Sequence, residues 1–204
     1  MREKIILDLC GGTGSWSRPY KEAGYDVRVI TLPKYDVRTY RVPRLGTVYG
    51  ILAAPPCTMF SLARTTAKIP RNLHEAMEIV KGCLEIIWKV QPHFWVLENP
   101  KGLLRKFLGK PAFTFDASEF GERYNKHTDL WGYFKEPVRL REYKRYSSTD
   151  KNTRKLPILP EGYVLPEGER KLSARRAITP KGFAEAFYRA NHLKALPTAR
   201  RRRG

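Results

Sequence analysis

The sequence predicts an α/β fold, an open parallel sheet with helices on its faces, and three observations point there. Short apolar runs that read as strands alternate with stretches of helical periodicity. Glycine- or proline-rich turns stop those runs at their carboxyl ends. The side chains with most chemistry to offer, Cys57 and Glu98, fall at the same ends. In such sheets ligands bind outside the carboxyl ends of the strands.

Each element has a local reason. Residues 4–9 (Lys-Ile-Ile-Leu-Asp-Leu) form an apolar run that halts at Gly11-Gly12-Thr13-Gly14. Residues 15–23 then suit a helix closed by Gly24. Residues 26–31 read as a second strand, and residues 48–53 as a third, cut off by Pro55-Pro56. Asn72 is a helix N-cap with Glu75 three residues on. The helix runs to about Val90 on a stripe of Ala76, Ile79, Val80, Cys83, Leu84 and Ile87, and Pro92 ends it. Residues 93–97 (His-Phe-Trp-Val-Leu) are a buried type of strand, and residues 113–132 add further strand material. Residues 133–172 lose periodicity and read as a small irregular insertion. Thr179-Pro180 starts a last helix reaching about Leu193, and Arg200 to Arg203 form an unfolded basic tail.

The division expected is therefore a core over 1–132, a basic insertion over 133–172, a returning helix over 173–197 and a tail over 198–204. The chain has 204 residues, 42% of them hydrophobic, enough for one globular domain. No apolar run reaches membrane-spanning length, and the first residues lead directly into a strand, so a cytoplasmic, membrane-free protein is expected. Cys10, Cys57 and Cys83 lack paired spacing, and the four histidines are scattered, which argues against a disulfide framework and a metal centre.

The net charge is +19, and it is uneven. Residues 1–132 carry 20 basic and 13 acidic side chains, whereas residues 133–204 carry 19 and 7. A field of this sign favours a polyanion, nucleic acid above all.

Three segments carry chemistry. The glycines of Asp8-Leu9-Cys10-Gly11-Gly12-Thr13-Gly14-Ser15-Trp16 admit close approach of a nucleotide-like cofactor. They equally suit an ordinary strand-to-helix turn, and the loop alone does not decide. Cys57, in Pro55-Pro56-Cys57-Thr58-Met59-Phe60-Ser61, stands where the strand cannot continue. A lone cysteine often serves as a small hydrophobe. At a strand end among polar neighbours it is also placed to be a nucleophile, with Arg64 and Lys126 as candidates for favouring the thiolate. Glu98 follows Phe94-Trp95-Val96-Leu97. An acid against an apolar wall has a raised pKa and can donate a proton near neutrality; a strand-end salt bridge is the plainer reading.

In this order, Asp8 to Trp16, Pro55 to Ser61 and Leu97-Glu98-Asn99-Pro100 resemble the motifs of the cytosine-5 DNA methyltransferases. The similarity spans most of residues 4–132, with a fainter match at 176–191. It implies a Rossmann-like S-adenosylmethionine-dependent methyltransferase fold with a small irregular basic insertion. It implies S-adenosylmethionine as methyl donor, S-adenosylhomocysteine as product, and DNA as partner. The catalytic set would be Cys57, Glu98, Asn99, Lys126 and Thr128. The cofactor set would be Asp8, Cys10, Gly12, Thr13, Gly14, Ser15, Asp36, Val37, Leu73 and Ile178, together with Pro56, whose carbonyl would meet the cytosine's exocyclic amine. Cys57 would add to C6 of a flipped-out cytosine while Glu98 protonates N3, and C5 would accept the methyl group.

Two departures stand out. Leu32 occupies the position at which the family carries a ribose-binding acid. Lys126 and Thr128 occupy the positions of two arginines, and neither reproduces a guanidinium fork. Contact to the cytosine carbonyl is expected from Thr128, from Lys126 or from another group. The target-reading region is short, so relaxed sequence specificity is expected. Arg64, Arg139, Arg141, Lys144, Arg145 and Arg154 are the expected nucleic-acid contacts, with Tyr143 and Tyr146 either stacking on bases or packing in the core. The resulting picture is a monomer in a prokaryotic or phage-infected cell, associated with the nucleoid, in restriction-modification, phage protection or regulation. A tRNA cytosine-5 methyltransferase, single-stranded substrates and a catalytically inactive nucleic-acid-binding relative remain alternatives, with a dinucleotide oxidoreductase behind them.

Overall fold

Every residue of strand β1 (Ile5–Leu9) is buried, as a strand covered on both faces requires. The computed structural model describes residues 4–42, 48–62, 64, 69–146, 156–165 and 170–192. Five further strands follow: β2 (Asp26–Ile30), β3 (Val48–Ala53), β4 (Phe94–Pro100), β5 (Phe113–Asp116) and β6 (His127–Tyr133). They form one six-stranded sheet in the order β2-β1-β3-β4-β6-β5.

The first four strands are parallel, as expected, with Leu9 level with Ala53 and Ala53 level with Leu97. The expectation of a wholly parallel sheet is corrected at the other end. Strand β6 runs antiparallel to both β4 and β5, inserted between them. Only residues 117–126 separate β5 from β6, including a 3-10 turn at Ala117–Phe120. That is too short for a parallel crossover, so the chain returns as a hairpin.

Helix α1 (Arg18–Glu22) is shorter than the sequence suggested, because residues 12–17 are spent in turns. Helix α2 (Leu73–Val90) has the expected start: the Asn72 side chain accepts from the Glu75 amide. Its buried face is Ala76, Val80, Gly82, Cys83, Ile86, Ile87 and Val90, with Ile79 and Leu84 only partly covered. Helix α3 (Arg105–Leu108) is a single turn. Helix α4 (Lys171–Ala177) was not expected and begins inside the segment read as irregular. Helix α5 (Lys181–Asn191) is the returning helix; Leu193 and the Arg200–Arg203 tail lie outside the described residues.

Two cores result, one per face of the sheet. Helix α2 covers Leu7, Leu9, Ile51 and Leu97. Helices α1 and α5 cover Ile6, Leu52, Phe94 and Val96 with an aromatic cluster. Phe183 of α5 stacks on Phe115 at 4.1 Å, and Trp16 meets Phe187 edge-on at 5.6 Å. Burying one such ring stabilises by roughly 1.5–3 kcal/mol. Trp16 thus ties the glycine loop to the C-terminal helix. Among the described residues no helix is long and apolar enough to cross a membrane.

Candidate functional site

Strand β1 has β2 on one side and β3 on the other, so the loops after β1 and β3 leave in opposite directions. Such divergence marks the usual ligand position in this architecture, at the carboxyl edge of the sheet. The glycine loop forms one wall of that position. Gly12 and Gly14 take positive φ of 53° and 67°, and Cys10 does so at 57° without being glycine. A non-glycine residue in that region is strained by about 1–3 kcal/mol, a cost typical of sites where backbone geometry serves function.

Asp8 lies beneath this loop, fully buried. The Ser17 hydroxyl donates to its Oδ2 at 2.6 Å, while Oδ1 has no partner among the described residues. Burial pushes the Asp8 carboxyl up to about 6, against the lowering effect of Ser17. Ser15 accepts from the Thr179 amide at 3.1 Å, which fastens Thr179, the residue after Ile178, to the loop. Cys10 packs on the α2 core and neighbours buried Cys83; its thiol, with burial, pushes the Cys83 thiol well up. Cys83 is therefore an inert core residue.

The second wall is the turn after β3. Pro56 and Thr58 are exposed and Cys57 is half-buried, with none of the three cysteines in a disulfide. The Cys57 carbonyl accepts from the amides of Phe60 and Ser61, which closes the turn tightly. Arg71, which sequence reasoning missed, clamps it from outside. Its two terminal nitrogens donate to the carbonyls of Met59 at 2.5 Å and Ser61 at 2.8 Å.

The end of β4 closes on this turn. Asn99 Nδ2 donates to the Pro55 carbonyl at 2.9 Å in a buried setting, and its Oδ1 has no partner among the described residues. Gly102 passes so close that an added Cβ would stand 2.4 Å from the Phe60 carbonyl oxygen, and the Leu103 amide donates to that oxygen. These contacts hold the Cys57 turn beside Glu98. Glu98 is almost buried, but its setting is not purely apolar. Lys126 Nζ lies 3.5 Å from Glu98 Oε1, with both side chains largely covered. The Thr128 hydroxyl donates to the Lys126 carbonyl at 3.1 Å, so Thr128 supports the turn that presents Lys126.

Other expected residues are distributed as follows. Asp36 accepts from the Arg38 amide and is gripped by its guanidinium, which holds the Asp36 carboxyl below its ordinary value. The Asp36 carboxylate is thus already engaged within the chain. Val37 is buried beside it, and Leu73 begins α2 against the core. Leu32 is exposed just beyond the end of β2. Arg64 donates to the Ile69 carbonyl at 2.6 Å. Arg139 is committed to the protein: it bonds Glu119 at 2.6 Å and the Thr114 carbonyl at 2.7 Å, and covers the Phe113 ring. Arg141, Lys144 and Arg145 are exposed, and Arg154 lies outside the described residues. Tyr163, half-buried, brings its hydroxyl to 3.9 Å from where a Cβ on Gly12 would stand. Arg175 secures that segment by donating to the carbonyls of Leu156 and Pro157. Neither Tyr163 nor Arg71 carries a motif in the sequence; only contacts across the fold reveal them.

No protein-family model matches this chain, and neither does any curated protein sequence. Among solved structures, it is similar to an E. coli protein described as a "putative DNA modification methyltransferase encoded within prophage". The TM-score is 0.46 at 16% identity, covering 64% of this chain and 47% of that one. The chain thus matches about half the length of that neighbour.

Proposed function

We propose that this chain is an S-adenosylmethionine-dependent cytosine-5 methyltransferase acting on DNA. One observation carries the reading: the Asn99–Pro55 hydrogen bond and the Gly102–Phe60 contact join the Cys57 turn to the strand end that carries Glu98 and its partner Lys126, at the same edge of the sheet as the glycine loop. The loop fits the proposed donor. Its left-handed glycines permit close approach to the backbone, and Asp8 beneath it supplies negative potential for a ligand bearing ammonium and sulfonium charge.

Bound there, S-adenosylmethionine would supply an electrophilic methyl group. The chain's own residues would do the rest. Cys57 Sγ forms a bond to C6 of the cytosine, which pushes electron density toward N3. A proton delivered at N3 from the Glu98–Lys126 pair neutralises that charge. C5, now nucleophilic, takes the methyl group. Loss of the C5 proton to water, expulsion of the Cys57 thiolate and return of the N3 proton to the Glu98–Lys126 pair restore the neutral aromatic ring. Asn99, tied to the Pro55 carbonyl, keeps the thiol and the acid in register. A base within a duplex hides C6 and N3, so the target must be unpaired or extruded.

A cytosine-containing oligonucleotide fluorinated at C5 tests this, because the final proton loss is then blocked. With methyl donor present, the wild type should form an adduct that survives denaturation, and Cys57→Ala should form none. Absence of the adduct from wild-type protein that demonstrably binds the donor would end the covalent mechanism.

A further inference from the structure

The chain beyond β6 is pinned at two points. Arg139 and the Leu140 amide both bond Glu119, which fastens the first point beside the 3-10 turn. The second is Asn125, whose Nδ2 donates to the Tyr146 carbonyl. Asn125 immediately precedes Lys126, the partner of Glu98. A strip of exposed and half-exposed residues therefore ends next to the candidate site.

That strip reads Arg141-Glu142-Tyr143-Lys144-Arg145-Tyr146. Neither tyrosine belongs to a core cluster, and both are half-buried. The Arg145 guanidinium carbon lies 5.9 Å from the Tyr143 ring centroid and Lys144 Nζ 5.5 Å from that of Tyr146. Glu142 is the strip's one acid. Phosphates alone would call for cations without rings. Rings interleaved with cations suit a partner with flat faces and a charged backbone, such as an unpaired polynucleotide. A duplex keeps its base faces stacked internally and cannot use the rings.

We infer that Tyr143 and Tyr146, flanked by Lys144 and Arg145, form a stacking platform for an unpaired strand beside the target base, so that the protein selects single-stranded over duplex substrate. This rests on the nucleic-acid reading of the site above. It departs from a region that reads a duplex groove, and a strip this short is compatible with it. An unpaired substrate also incurs no unpairing cost and the least unstacking cost of base extrusion.

Fluorescence anisotropy with the full chain tests it, using one cytosine-containing labelled sequence as single-stranded DNA, as single-stranded RNA and as duplex DNA at near-physiological salt. Either single strand should bind at least about tenfold tighter than the duplex. Tyr143→Ala with Tyr146→Ala should weaken single-strand binding by about 30-fold or more and leave duplex binding within about twofold, as two lost stacking contacts imply. Tyr→Phe at both positions should retain the wild-type preference, which separates loss of stacking from loss of fold. Lys144→Gln with Arg145→Gln should lower affinity for all three and flatten the salt dependence. Equal or tighter binding of the duplex, or equal loss on all substrates in the alanine variant, would overturn the platform while leaving the methyltransferase reading standing. No binding to any of the three would remove both.

Discussion

Asp8→Asn isolates the cost of the charge buried under the glycine loop. The Asp8 carboxyl has its pKa raised from 3.8 to about 6 by burial. The folded protein therefore holds this proton more tightly than the unfolded chain does. Between these two values the native state binds more protons than the unfolded state, so stability falls as pH rises. The stability associated with the neutral acid is complete below about pH 4 and gone once pH exceeds about 6. A gap of roughly two units corresponds to about 3 kcal/mol, at about 1.4 kcal/mol per unit. Asparagine keeps the shape and can still accept from Ser17, but it cannot ionise. In urea unfolding from about pH 4 to about pH 8, the wild type should lose up to about 3 kcal/mol relative to Asp8→Asn. Taking the difference between the two proteins cancels the other titrating groups. The same charge should favour a cationic ligand, so wild-type affinity for S-adenosylmethionine should rise as pH passes about 6, while that of Asp8→Asn stays flat and weaker. If the stability difference between the two proteins does not change with pH, the charge is not buried at a cost and the argument fails.

Asn99→Ala should destabilise by about 1–3 kcal/mol, since it strands the buried Pro55 carbonyl, and should lower methyl transfer by more than the fraction unfolded explains; urea unfolding beside single-turnover kinetics checks both. Arg71→Met keeps the aliphatic stem but frees the Cys57 turn, so kcat should fall about 10- to 100-fold at nearly unchanged global stability, and a wild-type kcat would show that the clamp positions nothing.

What the sequence held about this protein was local. The α2 start was legible because Asn72 and Glu75 cap within one turn, three residues apart. The breaks after β1 and β3 were legible because glycine frees the backbone for positive φ and proline restricts it, each without help from distant residues. From these came the four parallel strands and the placing of Cys57 and Glu98 at neighbouring strand ends. Helix α1 came out short because Trp16 is drawn into the aromatic core and Ser17 onto Asp8, partners distant in sequence. Arg139 and Arg145 look alike as charges in a basic segment, yet one is locked onto β5 and the other sits on a half-exposed tyrosine. The insertion of β6 between β4 and β5, the Lys126–Glu98 pair, the Arg71 clamp and the reach of Tyr163 to Gly12 were decided only by tertiary structure. Composition and spacing fix what a segment does with its immediate neighbours. Which remote donor meets which buried acceptor is settled only when the whole sheet closes and its polar groups compete for partners.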